Sequence, residues 1–307
     1  MNGHATQAIN KFYMLNVEQP RNRPEIKDIK TEKEQPKMTV FLLRHGESES
    51  DKSKANRGLT ELGKDQVRES ITTIVRDLVQ EVSPDFNDWN NKDTVTAALA
   101  GIEFHLRDSG TERTKQQVVL ERDLLVEAGV PLENIILPKG IYENITPPQG
   151  AGPGIAKRLE GVRGMDHQPK YRAQLKSKTF QEYVGANSDI EAWALSDRDE
   201  VPTEVESRQE METRYAHDIA IAERGIRMLN TKDKRTITIA NSHASIATLA
   251  AASELNVPLD KLMRQIGEVP GAQGLRYDFY GSKDKSHETK PFGKDVEAAM
   301  RELKNRR

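Results

Sequence analysis

The stretch Val40-Phe41-Leu42-Leu43-Arg44-His45-Gly46-Glu47 constrains this chain more than any other. Four apolar, β-prone residues stop abruptly at an arginine, a histidine and a glycine. A short continuous apolar run bounded by Gly reads as a strand covered on both faces, which belongs to a parallel sheet with helices above and below. Open sheets of that kind place their ligands just beyond the carboxyl ends of the strands, so Arg44 and His45 fall where chemistry is done.

The rest of the chain alternates in the same sense. Thr60 is placed to cap a helix in which Val67, Ile71, Ile74, Val75, Leu78 and Val82 recur at the spacing of one buried face, ended by Pro84. A strand is expected within Thr94–Leu106. A second helix is expected from about Thr111 to Ala128, closed by Gly129 and Pro131, with a short strand at Asn134–Leu137. Met211, Tyr215, Ile219, Ala222, Ile226 and Leu229 mark a long amphipathic helix, Thr236–Ala240 a β-branched strand ending at Asn241-Ser242-His243, and Gly274–Tyr280 one more strand. The expected fold is α/β, a three-layer α/β/α sandwich about a mostly parallel central sheet. Residues 1–37 are polar and carry Pro20, Pro24 and Pro36, the composition of a flexible extension, within which Phe12-Tyr13-Met14-Leu15 is a candidate anchor. Residues 38–307 form the expected catalytic domain, with a Gly- and Pro-rich insertion or cap at about 138–202. The Gly cluster there lacks the Gly-Lys-Ser/Thr ending of a phosphate loop.

Composition narrows the function. At 307 residues with a formal charge of -2 and mixed signs, the chain has no nucleic-acid footprint. It contains no Cys, which excludes a disulfide framework, a thiolate metal site and a cysteine nucleophile together. No apolar run approaches the roughly 18 residues of a membrane span, and the expected setting is cytoplasmic. His4, His105, His167, His217 and His287 show no metal-site spacing, and no metal or other cofactor is expected.

Leu43-Arg44-His45-Gly46-Glu47 after an opening strand resembles the signature of the histidine phosphatase superfamily, the phosphoglycerate mutase-like enzymes of the branch-one type. Ser109-Gly110-Thr111-Glu112-Arg113-Thr114-Lys115-Gln116 resembles that family's strand-end segment of Ser, three residues and Arg. Ser242-His243 resembles its second histidine, although Ala244 stands where the family usually has Gly. Asn56-Arg57-Gly58-Leu59-Thr60-Glu61-Leu62-Gly63 is similar to its turn into the first helix, and Asp51 stands where many members carry Asn. The resemblance implies His45 as the nucleophile that forms a phosphohistidine. It implies Arg44, Arg113 and His243 as holders of the phosphoryl group, with Arg57 facing the substrate. Arg113 also makes physical sense in the first turn of a helix, whose N-terminus adds backbone donors and a positive dipole end.

The resemblance implies a glutamate as the proton donor. Glu160, in Arg158-Leu159-Glu160-Gly161-Val162-Arg163-Gly164, fits the family's spacing, Glu143 competes with it, and an ordinary surface glutamate is the alternative to both. The implied activity is hydrolysis of a phosphomonoester, a small molecule with a phosphoprotein as the other option. A phosphosugar mutase and a catalytically inactive phosphoryl-binding member are the alternatives. Neither a nucleic acid nor a membrane is an expected partner, and the oligomeric state is open.

Overall fold

In the computed structural model, residues 35–49, 57–86, 92–137, 207–228, 234–254, 256–259, 262–263, 269–280 and 287–305 are described, all within the unit Gln35–Arg307. The Phe12–Leu15 patch, Asp51, Leu229, the insertion at 138–202, Glu143 and Glu160 lie outside them, as does the polar extension up to residue 34.

The apolar run becomes strand β1 (Met38–Arg44). Its side chains alternate between two cores: Phe41 and Leu43 pack on one face of the sheet, Leu42 on the other. That two-sided burial is why the run reads as continuously apolar rather than alternating. Helix α1 (Glu61–Val82) starts as its sequence predicts, with Thr60 Oγ1 accepting from the Gly63 N–H at 3.0 Å. It buries Val67, Ile71, Ile74, Val75 and Leu78, but Val82, expected on the same face, is the last helical residue and is 44% exposed.

The expected strand within Thr94–Leu106 needs correcting. Helix α2 (Lys92–Leu99) takes its first half and strand β2 (Ile102–Asp108) its second. Val95 and Leu99, four apart, bury one helical face, and the alanines between them favour helix over strand. Helix α3 (Glu112–Glu127) follows and ends at Gly129 with φ +97°, the left-handed position the sequence reserves for glycine. A 3₁₀ turn at Leu132–Asn134 leads into strand β3 (Ile135–Ile136). Then come α4 (Arg208–Met228), β4 (Arg235–Ser242), α5 (Ala244–Glu254), β5 (Gly274–Phe279), β6 (His287–Phe292) and α6 (Lys294–Asn305).

The strands form one sheet in the order β3-β2-β4-β1-β5-β6. β3, β2, β4 and β1 pair in parallel, β5 is antiparallel to β1, and β6 is antiparallel to β5, so β5 alone runs against the rest. Residues of α1, α2 and α3 pack on one face and residues of α4, α5 and α6 on the other. The result is a mixed α/β/α sandwich. The register sets Arg44 opposite Ser242 and Asp108 opposite Asn241, so β1, β4 and β2 end in step.

At the other end of these strands, five residues or about 17 Å from Arg44, a buried ion network ties the sheet to α1. Glu81 accepts from Arg235 at 2.7 Å and from Arg276 at 2.5 Å. Asp278, 1% exposed, accepts from Arg276 at 2.8 Å and from Thr39 Oγ1 at 2.8 Å. Arg276 keeps Glu81 when Asp278 is removed, but its buried Nε and the Thr39 hydroxyl lose their acceptor. Asp278→Ala should therefore lower stability by about 1–3 kcal/mol, read as a lower urea midpoint at unchanged slope. A midpoint within error of wild type would show that the network contributes nothing.

Candidate active site

Three strands ending in step deliver three segments to one place. His45 follows β1, its N–H donating to the Ser242 carbonyl at 2.9 Å. His243 follows β4, and Ser109 follows β2. All three are buried. The His45 and His243 rings meet edge-to-face with centroids 5.2 Å apart.

The hydrogen-bond partners assign the tautomers. Carbonyl oxygen only accepts, so His45 Nδ1, 2.6 Å from the Gly46 carbonyl, carries the proton and Nε2 keeps its lone pair. Guanidinium only donates, so His243 Nδ1, 3.1 Å from Arg113 Nη2, is the acceptor, and Nε2–H donates to Ser109 Oγ at 2.8 Å. A Ser-His pair at that distance resembles an activated serine, but this tautomer cannot take the serine proton. In this arrangement Ser109 accepts from His243 and directs its own proton toward Thr114 Oγ1 at 3.4 Å.

Arg44, Arg57 and Arg113 gather around the two rings. Burial, reinforced by Arg113 and then by Arg44 and Arg57, pushes His45 down to about 3 against its ordinary 6.5. Burial first, then His45 and the three arginines, holds His243 well below the usual imidazole value. Arg113 is itself lowered to about 10 by burial and by Arg57 and Arg44. Positive charges crowded around a desolvated Arg113 and two imidazoles suit an anion. Two further features agree. Arg113 Nε is buried with no protein partner among the described residues. Thr111, at the N-cap of α3, makes no side-chain cap bond, so the first N–H groups of the helix keep their donors.

Arg44 is fixed by a hydrogen bond from Nη1 to the Val269 carbonyl at 2.7 Å, and Arg57 Nη1 lies 3.5 Å from the Glu49 carbonyl. The loop after β1 is seated by backbone contact. A Cβ on Gly46 would stand 2.4 Å from the Gly63 carbonyl oxygen, so only glycine permits this approach of the loop to the start of α1.

The structure therefore brings Arg44, His45, Arg57, Arg113 and His243 together. Sequence reasoning took Ser109 only as the first residue of a motif and gave it no role. Its signal was its place at the end of a strand, one residue past Asp108. Among the described residues there is no group of three or more His, Asp or Glu arranged to hold a metal, and no helix long and apolar enough to cross a membrane.

No family model and no curated protein matches the chain. Solved structures do. The chain is similar to a mycobacterial glucosyl-3-phosphoglycerate phosphatase at 12% identity, covering 83% of this chain and 97% of that one, with a TM-score of 0.42. It is similar to phosphoglycerate mutase from Bacillus anthracis at 13% identity, covering 86% and 96%, with a TM-score of 0.45. It is also similar to the alpha-ribazole phosphatase of Shigella flexneri at 14% identity, covering 84% and 97%, with a TM-score of 0.39. These similar structures are those of histidine phosphatase superfamily members.

The lowered pKa of His45 has a sign. Unfolded chains protonate this imidazole below about 6.5 while the folded site resists down to about 3. The unfolded state therefore binds more protons in that window, and the stability that His45 contributes is full above about 6.5 and lost as pH falls toward 3. The imidazole resonances of His45 and His243 should not titrate between about pH 5 and 8 in the native protein, and should titrate near 6.5 in urea. A native His45 resonance with an inflection near 6.5 would contradict the desolvated, cation-flanked site.

Proposed function

We propose that this protein is a phosphomonoester hydrolase of the histidine phosphatase type, acting through a phosphohistidine on His45. One observation carries the reading: His45 is held with Nδ1 protonated, which leaves Nε2 a neutral lone pair beside Arg113, Arg44 and Arg57. An imidazole that stays neutral is a competent nucleophile at phosphorus, and the covalent intermediate splits one difficult transfer into two easier ones.

The sequence of steps follows. Arg44, Arg113 and the N-terminus of α3 take the nonbridging oxygens, His243 turns its Nε2–H from Ser109 to the phosphoryl group opposite His45, and Arg57 lies toward the substrate. Nε2 attacks phosphorus, the bond from phosphorus to the ester oxygen breaks, and a carboxylic acid gives that oxygen its proton. The carboxylate then takes a proton from water, whose oxygen attacks phosphorus. The P–N bond breaks, inorganic phosphate leaves and Nε2 recovers its lone pair. Glu160 is the proposed acid, with Glu143 its competitor. Glu143 stands seven residues beyond Ile136, the end of β3, whereas Glu160 stands twenty-four beyond it. The substrate class is a phosphate monoester.

Phosphate release from an aryl phosphate and from a panel of natural monoesters and phosphopeptides, without added metal, tests the reading. Wild type should release phosphate and His45→Ala should not. Arg113→Ala should lose roughly 10²- to 10³-fold in kcat with the fold intact, as when a transition-state charge partner is removed. Release that persists in His45→Ala would overturn the phosphohistidine. No release from any ester, with an isomerised phosphosugar or tight phosphate binding instead, would move the function to a mutase or a binding protein.

Leaving-group dependence identifies the acid. The variant of the true donor, Glu160→Gln or Glu143→Gln, should lose far more on alkyl than on aryl phosphates, because only poor leaving groups need the proton. Equal losses on both esters would remove that residue from the role.

A further inference from the structure

Directly beneath the strand ends lies a closed ring of three polar side chains, Gln117, Glu121 and Asn241, each fully buried. Gln117 and Glu121 sit four apart on the core-facing side of α3, in phase with Thr114, Val118 and Leu125, where apolar residues would serve the core better. What they hold explains their presence. The Gly46 N–H donates to Gln117 Oε1 at 2.9 Å. Gln117 Nε2 then donates to Glu121 Oε1 at 2.9 Å and to Asn241 Oδ1 at 2.7 Å. Asn241 Nδ2 closes the ring on Glu121 Oε2 at 2.7 Å.

The ring and the Gly46 N–H it holds connect three arms of the site. Gly46 supplies the carbonyl that fixes the His45 tautomer, Asn241 precedes His243 by two residues on β4, and Gln117 follows Arg113 by four on α3. The register puts Asn241 opposite Leu43 on one side and Asp108 on the other, so the ring spans the point where all three strands stop.

We infer that Glu121 is a positioning residue for His45: its two accepting oxygens force the orientations of Gln117 and Asn241 that present an acceptor to the Gly46 N–H. The parity of the ring makes this specific. With the amide oxygen of Gln117 turned to Gly46, its nitrogen faces both neighbours. Asn241 must then turn its oxygen to Gln117 and its nitrogen to residue 121, which must accept on both sides. A carboxyl does so in either protonation state, since a hydroxyl oxygen keeps accepting capacity, whereas an amide nitrogen accepts nothing. Burial raises the Glu121 carboxyl to about 8, against the pull of the Gln117 and Asn241 hydrogen bonds.

The inference rests on the hydrolase reading, and its test separates the two. In the full-length protein, Glu121→Gln is isosteric but leaves one donor facing a donor in every arrangement of the ring. Adding Asn241→Asp restores complementarity by moving the carboxyl one place round it. The single variant should lose about 10- to 100-fold in kcat with KM within about twofold of wild type, and the double variant should recover most of the loss. Two readouts do not need turnover: hydrogen exchange of the Gly46 amide should accelerate in the single variant and slow again in the double, and the ¹⁵N shifts of the His45 ring should move and return. If Glu121→Gln fails to fold, Gln117→Met, which removes the acceptor alone, is read by the same measures.

Wild-type exchange, ring shifts and kcat in a folded Glu121→Gln or Gln117→Met protein would overturn the inference. If no ester is hydrolysed by wild type but the exchange and ring shifts follow this pattern, the hydrolase reading fails and the positioning role stands.

Discussion

The arrangement that the rest of this molecule serves is a concentration of positive charge held away from water. Arg44 and Arg57 lie close enough to lower Arg113, and all three lower both imidazoles. Like charges in a low-dielectric pocket repel and lose hydration at once, so they persist only where the surrounding structure fixes them. Here that structure is the common ending of β1, β4 and β2, locked by parallel register and by two-sided apolar burial. Arg44 is pinned to the Val269 carbonyl, and Arg113 is set in the first turn of a helix packed against the same sheet face. An anion would relieve that repulsion, which is the physical basis of the proposed phosphate site.

Much of this was legible before any coordinates. The continuous apolar run to Leu43 identified a doubly covered strand, and the three strand-end segments carrying His45, Arg113 and His243 were separable from ordinary surface residues because each followed a β-prone run or opened a helix. Thr60 and Gly129 announced the ends of their helices through cap chemistry that depends on a residue's own side chain or its lack of one.

Other parts were hidden for physical reasons. Helix α5, Ala-Ser-Ile-Ala-Thr-Leu-Ala-Ala-Ala-Ser-Glu, is buried from Ala244 to Ala252, so it has no polar face and no 3.6-residue rhythm to read. Helix α2 sits in a stretch whose β-branched residues read equally well as strand, and only packing of Val95 and Leu99 decides. Strand β6 is mostly half-buried polar residues at the sheet edge, which carry no alternation. The buried ring was visible only as an oddity, two polar residues in the core phase of α3. A sequence shows that such residues need partners but not which backbone group they serve.

The lone reversed strand has a consequence for how the protein comes into being. Because β5 runs against β1, its beginning lies at the functional end of the sheet, and the residues just before it bond to Arg44: Val269 through its carbonyl, Ala272 and Gln273 through the backbone. Arg44 and Val269 are 225 residues apart, and β1 is flanked on both sides by strands made late, β4 and β5. On the ribosome β1 emerges long before β4 and β5 and waits, apolar on both faces, until both neighbours have been synthesised. Such long-range pairing is slow and leaves a hydrophobic edge exposed in the meantime.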